Sequence, residues 1–364
     1  MKLRVKKENI VQHLQDVISA IPSRSTLPIL SNLLLEAKDN TLFITATDLE
    51  ICIRKKIVVE GIQSGKITAL GKKFYDILKE IPSEDILIEE TKNFGVILRG
   101  EKCYFKLLGF SPQEYPDIPK IEGKSFKVDA KKIAEMISKT YFACSKEETR
   151  YVLNGILFDF KEDSLKLVAS DGRRLALCQE NIKTGWTGKY IVPQKAVIEL
   201  LKMSEKAQTN LIISLSEKNN QVAFSLPDTE LITRLIEGDF PNYEEVIPPE
   251  SKNRLKLNTK DFFQAIKRAH LMTTTESIAI KIEFCKNKVV ISKITPELGE
   301  GREELEVDYQ GADMVIGFNP QYLLDILKSI NQKEIVLELN GVDKPGIIRL
   351  DSKYLYLVLP MQLI

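Results

Sequence analysis

The apolar residues Ile10, Leu14, Val17, Ile18 and Ile21 recur at the spacing that puts them on one face of a helix, and Ile133, Ile137 and Phe142 follow nearly the same rhythm. Elsewhere the period drops to two. In Thr41-Leu42-Phe43-Ile44-Thr45-Ala46 polar and apolar residues alternate, as a strand with one buried face requires. These periods follow one another in a recurring order. A helical stretch, two strand-like runs, a polar turn and a returning strand fill residues 9–57 and again residues 131–182, with the turn aspartates Asp48 and Asp171 standing 123 positions apart. A second half, helix then strand, occupies residues 71–90, 193–215 and 319–339. Asp76 and Asp325 within it are 249 positions apart, about twice the first offset. Residues 258–294 supply the third copy of the first half.

A period of this size makes each copy a domain. Proline-bearing stretches at residues 115–123 and 240–252 stop strands and read as linkers, which sets expected boundaries of 1–121, 122–247 and 248–364. Each domain is expected to be α+β, with two helices packed on one face of antiparallel sheet.

Composition narrows the chemistry. At 364 residues and 43% hydrophobic content the chain can fill two or three cores. Its opening mixes charge with isolated apolar residues, and no stretch approaches a membrane span, so a cytoplasmic protein without membrane contact is expected. The cysteines Cys52, Cys103, Cys144, Cys178 and Cys285 form no CxxC pair, which argues against a zinc site or a disulfide framework and for reduced, mostly buried thiols. With only His13 and His270 present, histidine-based catalysis has little material. A net charge of +1, from 52 basic and 51 acidic residues, does not suit a tight, static nucleic-acid binder. Yet residues 72–80, 131–139, 194–206 and 257–271 together hold twelve Lys or Arg against six Asp or Glu. For one helix that is an ordinary solvated face. Recurring in every repeat, it predicts that an assembly with the helices turned inward has a weakly positive lumen, suited to phosphate contacts without base readout.

With the repeats in view, Ser23–Ala37 (SRSTLPILSNLLLEA) and Thr45–Glu50 (TATDLE) resemble the first-domain signature of the bacterial DNA sliding clamp family, the beta subunit of DNA polymerase III. Arg150–Phe160 (RYVLNGILFDF), Ala169–Cys178 (ASDGRRLALC), Ile191–Met203 (IVPQKAVIELLKM), Gly238–Pro248 (GDFPNYEEVIP) and the ending VLPMQLI continue the resemblance in order along the chain. It implies a non-catalytic accessory subunit with no cofactor and no metal. Two such chains would join head to tail into a six-domain ring around double-stranded DNA, held without regard to sequence. The ring would tether the DNA polymerase III alpha subunit, the clamp loader and other proteins bearing clamp-motif peptides.

By position the resemblance implies residue roles. DNA contact falls to Arg24, Lys79, Lys146, Tyr151 and Lys195, with Glu147 replacing a neutral amide found in relatives. The dimer seam would bring Phe105 and Leu107 against Leu271 and Met272 of the partner subunit, flanked by Lys73, Arg99 and Lys102 on one side and Glu300, Glu303 and Glu304 on the other. A peptide-docking pocket between the second and third domains would comprise Arg150, Leu153, Ser170, Gly172, Arg173, Arg174, Leu175, Pro241, Val246, Val358, Leu359, Pro360, Met361, Gln362 and Leu363. Relatives carry a second Tyr, a His and basic residues at that rim, where this chain has Val152, Arg173, Glu245 and Gln362, so its peptide preference is expected to differ.

Two motifs invite catalysis and are better read otherwise. Asp171 beside Arg173 and Arg174 could act as a base with phosphate clamps, but Asp48 occupies the equivalent turn followed by Leu49-Glu50, which favours turn capping in both. Gly299-Glu300-Gly301 is a fragment of a glycine-rich loop whose acidic neighbours would repel phosphate. A metal-dependent nuclease would need converging carboxylates, whereas these are scattered. A monomeric adaptor with the same repeats is the other alternative, separable by native mass.

Overall fold

The computed structural model describes residues 1–121, 123–216, 220–251 and 253–363. Each repeat contains two α-helices: α1 (Lys7–Val17) and α2 (Gly71–Glu80), α3 (Ala130–Ser138) and α4 (Gln194–Lys206), α5 (Thr259–His270) and α6 (Pro320–Ser329). The strand preceding the first helix of each pair runs antiparallel to the strand following the second. The register is repeated too, with Lys6 opposite Asp85, Asp129 opposite Asn210 and Asn258 opposite Glu334. Local chemistry starts these helices. Asp129 Oδ1 accepts from Lys131 N at 2.8 Å, Asn258 Oδ1 from Lys260 N at 3.0 Å, and Asn319 Oδ1 from Gln321 N at 3.0 Å just ahead of Pro320.

The apolar periodicity overran two helices. Ile10, Leu14 and Val17 are buried along α1, but Ile18–Ala20 tighten into a 3-10 turn and Ile21 is extended, because Pro22 disfavours a helical residue before it. After α3, Thr140 Oγ1 donates to Met136 O and Ile137 O, and Phe142 lies in the 3-10 turn Tyr141–Ala143 instead of on the helix.

The chain compacts as two units, Met1–Lys132 with Ile198–Leu235, and Ile133–Val197 with Ile236–Ile364, so the middle repeat contributes to both. Strand pairing between repeats is the cause. In the first unit Thr229–Arg234 pairs with Ile51–Val58, joining four strands of each repeat into one eight-stranded sheet. In the second, Arg174–Glu180 pairs with Tyr354–Val358, making a second eight-stranded sheet. A five-stranded sheet ending on Tyr104–Leu107 completes the first unit, and a four-stranded sheet ending on Gly299–Glu306 completes the second. The two proline-bearing connectors are each pinned by a buried tyrosine: Tyr115 Oη donates to Thr45 O at 3.2 Å and Tyr243 Oη to Asp159 Oδ2 at 2.8 Å.

None of the five cysteines is in a disulfide, and burial pushes the Cys52, Cys144 and Cys178 thiols up to about 12. Among the described residues no helix is long and apolar enough to cross a membrane.

Candidate functional site

The residues singled out in sequence for peptide docking all lie in the second unit, where one hairpin turn organises several of them. Strands Ser164–Ser170 and Arg174–Glu180 are joined by Asp171-Gly172-Arg173. Asp171 Oδ1 accepts from Arg173 N at 2.9 Å and Arg174 N at 3.0 Å, while Ser170 Oγ donates to Arg174 O and accepts from Gly172 N. In the first repeat Asp48 Oδ1 accepts from Glu50 N at 3.0 Å and Ile51 N at 2.8 Å, the same two positions downstream. Both aspartates therefore cap turns. Gly172 and Leu49 occupy equivalent left-handed positions, with φ of 84° and 78°. Only at Gly172 would a side chain also press on the Arg150 guanidinium, whose Nη1 donates to Asp171 O at 2.6 Å.

Arg174 is buried and held at all three guanidinium nitrogens. Its Nε donates to Asp171 Oδ2 at 3.0 Å, Nη1 to Asp325 Oδ2 at 2.6 Å and Nη2 to Phe142 O at 2.6 Å, and the guanidinium lies 4.3 Å from the Tyr322 ring centre. Burial alone would lower its pKa, but Tyr356, Asp325 and Asp171 raise it above the usual arginine value. Three of its five N–H donors are taken inside the chain, and its burial leaves little of the guanidinium for a ligand. Its role is to tie the turn to α6 and to the Tyr141–Ala143 turn. Linear reading placed Arg174 in the pocket but missed Phe142, Tyr322 and Asp325 as its partners. Asp325 was visible only as a repeat marker.

The closing segment follows the same hairpin. Val358 pairs with Arg174, Leu359 N donates to Arg173 O at 2.9 Å, and Met361 N donates to Gly317 O at 2.8 Å. Leu153, Leu175 and Val358 are buried; Leu175 belongs to a core cluster with Tyr243, Leu355 and Leu357, against which Val152, Phe240 and Ile247 pack. Exposed above are Gly172, Arg173, Pro241, Val246, Leu359, Gln362 and Leu363, with Ser170, Pro360 and Met361 half-buried. Exposed apolar side chains at Val246, Leu359 and Leu363, with Leu359 bonded to the tight turn, suit an extended peptide with apolar anchors.

The remaining residues fall in both units. Arg24 and Lys79 are exposed in the first, Lys79 with its amine 5.3 Å from the Tyr75 ring centre, and Lys146, Tyr151 and Lys195 are exposed in the second. Of the twelve helix cations, Lys139, Lys202, Lys206 and Arg268 are held by Glu135, Glu199, Asp16 and Glu303, so the basic faces are weaker than the count suggests. Phe105 and half-buried Leu107 lie on the free edge strand Tyr104–Leu107, with Lys73, Arg99 and Lys102 exposed. Leu271 is 73% exposed just past α5, and Met272 is half-buried. Glu300 is exposed, but Glu303 already takes a bidentate contact from Arg268 at 2.7 and 2.6 Å, and Glu304 meets Arg302 at 3.2 Å. Among the described residues no group of three His, Cys, Asp or Glu could hold a metal ion.

Three repeats, each a helix pair on antiparallel sheet and joined through shared sheets, define a clamp-type fold. The family models for the N-terminal, central and C-terminal domains of the DNA polymerase III beta subunit match residues 1–119, 127–242 and 244–362. The chain belongs to that family. It is 29% identical to the beta sliding clamp of Chlamydia muridarum, covering 100% of this chain and 99% of the relative, and 30% identical to that of Staphylococcus epidermidis with the same coverage. Among solved structures, the DNA polymerase sliding clamp from Bacillus subtilis has a TM-score of 0.95 at 31% identity, and the sliding clamp from Bartonella birtlesii bound to griselimycin has 0.95 at 30%, each covering 100% of both chains.

Proposed function

We propose that this chain is the processivity clamp of a bacterial replicative polymerase: a non-catalytic protein of the cytoplasm, without cofactor, that encircles duplex DNA and tethers other proteins to it. The observation that carries the reading is the tiling of the chain by all three beta-subunit domain models, from residue 1 to residue 362. We take the domains as 1–121, 122–247 and 248–364, and two chains as a head-to-tail homodimer closing a six-domain ring. Two free sheet edges support this: Tyr104–Leu107 with exposed Phe105, and Gly299–Glu306 near exposed Leu271. An unlike pair of patches closes a ring when the rotation between subunits is right, and edge strands left bare would aggregate. Glu300 remains the most available acid for Lys73, Arg99 or Lys102 of the partner subunit.

DNA would be held by Arg24, Lys79, Lys146, Tyr151 and Lys195 through phosphate contacts, in a lumen that a nearly neutral chain makes only weakly positive. The surface around the Asp171–Arg173 turn and Leu359–Leu363 would dock the DNA polymerase III alpha subunit, the clamp loader and other clamp-motif peptides. Retention on DNA is then topological. Protein placed on a nicked circle by its loader should stay at moderate salt and leave once the circle is cut to a linear form. Equal loss from circle and linear DNA would mean ordinary binding and would defeat the reading.

A further inference from the structure

The strand Met314–Phe318 is the outer strand of its four-stranded sheet, paired on one side with Ile280–Cys285, where Gly317 stands opposite Lys281. Its other side carries the closing segment, through an isolated antiparallel bridge between Gly317 and Met361 and the 2.8 Å bond from Met361 N to Gly317 O. A Cβ at Gly317 would fall on Met361 O, well inside van der Waals contact, and 2.9 Å from Leu363 Cδ2. Gly317 is not among the glycines with positive φ, so its own backbone does not demand glycine. What needs the missing side chain is the close approach of the segment that crosses it.

The other repeats seat a segment at the same place. The 249-position offset that matches Asp76 to Asp325 places Thr68 at the position of Gly317. Thr68 Oγ1 there accepts from Phe110 N at 2.7 Å and donates to Phe110 O at 2.8 Å, holding the residues that lead into the connector out of the first repeat. In the second repeat Ile236 N donates to Ile191 O at 2.9 Å, again just ahead of a connector. In the third the seated segment is Leu359–Leu363, held to Gly317 by one backbone bond and a slot where the first repeat used a threonine side chain.

We infer that Gly317 is the positioning residue of the docking surface: its missing side chain is the slot that seats Met361 and Leu363 and so sets the wall a peptide meets. This rests on the docking reading above, and the test separates the two. Gly317→Ala should raise amide exchange at Met361 at least about tenfold while the amides paired between Ile280–Cys285 and Met314–Phe318 keep their protection. Affinity for a labelled C-terminal peptide of the polymerase alpha subunit, read by fluorescence anisotropy, should fall about tenfold. Leu363→Ala, which leaves the strand untouched, should loosen Met361 and weaken the peptide in the same direction. A Met361 amide that stays protected in Gly317→Ala, or one that is freed without loss of peptide affinity, overturns the inference. So does protection lost across the whole strand pair, since Gly317 would then serve the sheet. Wild-type protein that ignores the peptide defeats the docking reading itself, and the exchange result still reports whether Gly317 seats the segment.

Discussion

Arg174 Nη1 donates to Asp325 Oδ2 at 2.6 Å across 151 residues of sequence, joining a hairpin turn of the second repeat to the second helix of the third. Both side chains are mostly buried, at 9% and 19% exposure. Removing one partner of a buried pair leaves an uncompensated charge and costs roughly 3–5 kcal/mol. Asp171 also contacts this guanidinium, so Asp325→Ala should fall near the low end, about 3 kcal/mol, read from the denaturant midpoint. Asp76→Ala, at the equivalent but exposed position of α2, should stay within about 0.5 kcal/mol. Equal effects at the two sites would show that the pair does not anchor the turn.

The dimer seam is open to a direct test. Leu271 is among the most exposed large apolar residues of the chain, and apolar anchors at the centre of an interface carry most of its energy. Replacing Leu271 and Met272 with Ala and Asp should yield folded monomers. A dimer mass unchanged in light scattering would place the seam elsewhere.

Removal of residues 360–364 probes the docking surface as a whole. The dimer should remain, because Tyr354–Val358 keeps both neighbours in its sheet, whereas binding of the polymerase and of the clamp loader should be lost. Undiminished anisotropy with the polymerase peptide would mean that docking occurs at another surface.

Acid stability should depend on Asp16. Its carboxylate sits between Lys55 Nζ at 2.7 Å and Lys206 Nζ at 2.8 Å. Burial pushes the carboxyl pKa up, but hydrogen bonds and charge from Lys206 and Lys55 outweigh it and hold the value below the ordinary carboxylate range. A depressed folded pKa means a contribution present above the unfolded value and lost as pH falls through the folded one. The window therefore opens below about pH 4. Asp16→Asn should lower the melting midpoint at pH 7 and flatten its fall below pH 4. Parallel melting curves for the two proteins would remove Asp16 from the acid transition.

Much of the site was legible because its chemistry is local. The Asp48 and Asp171 caps follow from an aspartate two and three residues ahead of bare amides, and the repeat made the assignment firm. Arg174 shows the opposite case. Its sequence neighbours suggested a ligand-facing arginine, whereas Asp325 and the Phe142 carbonyl, distant in sequence, each take one of its donors. Glu303 likewise reads as a free acid until Arg268 is seen against it.

The sequence alone determined the three repeats, the helix pair in each, the capped turns and the family, since periodicity, capping and motif order depend on residues near one another in the chain. Only the tertiary structure decided that the repeats share two eight-stranded sheets, that Val358 and Leu175 are buried beneath the surface proposed for docking, and that Met361 rests on Gly317. Those outcomes depend on hydrogen-bond register and close approach between segments far apart in sequence, which no local pattern specifies.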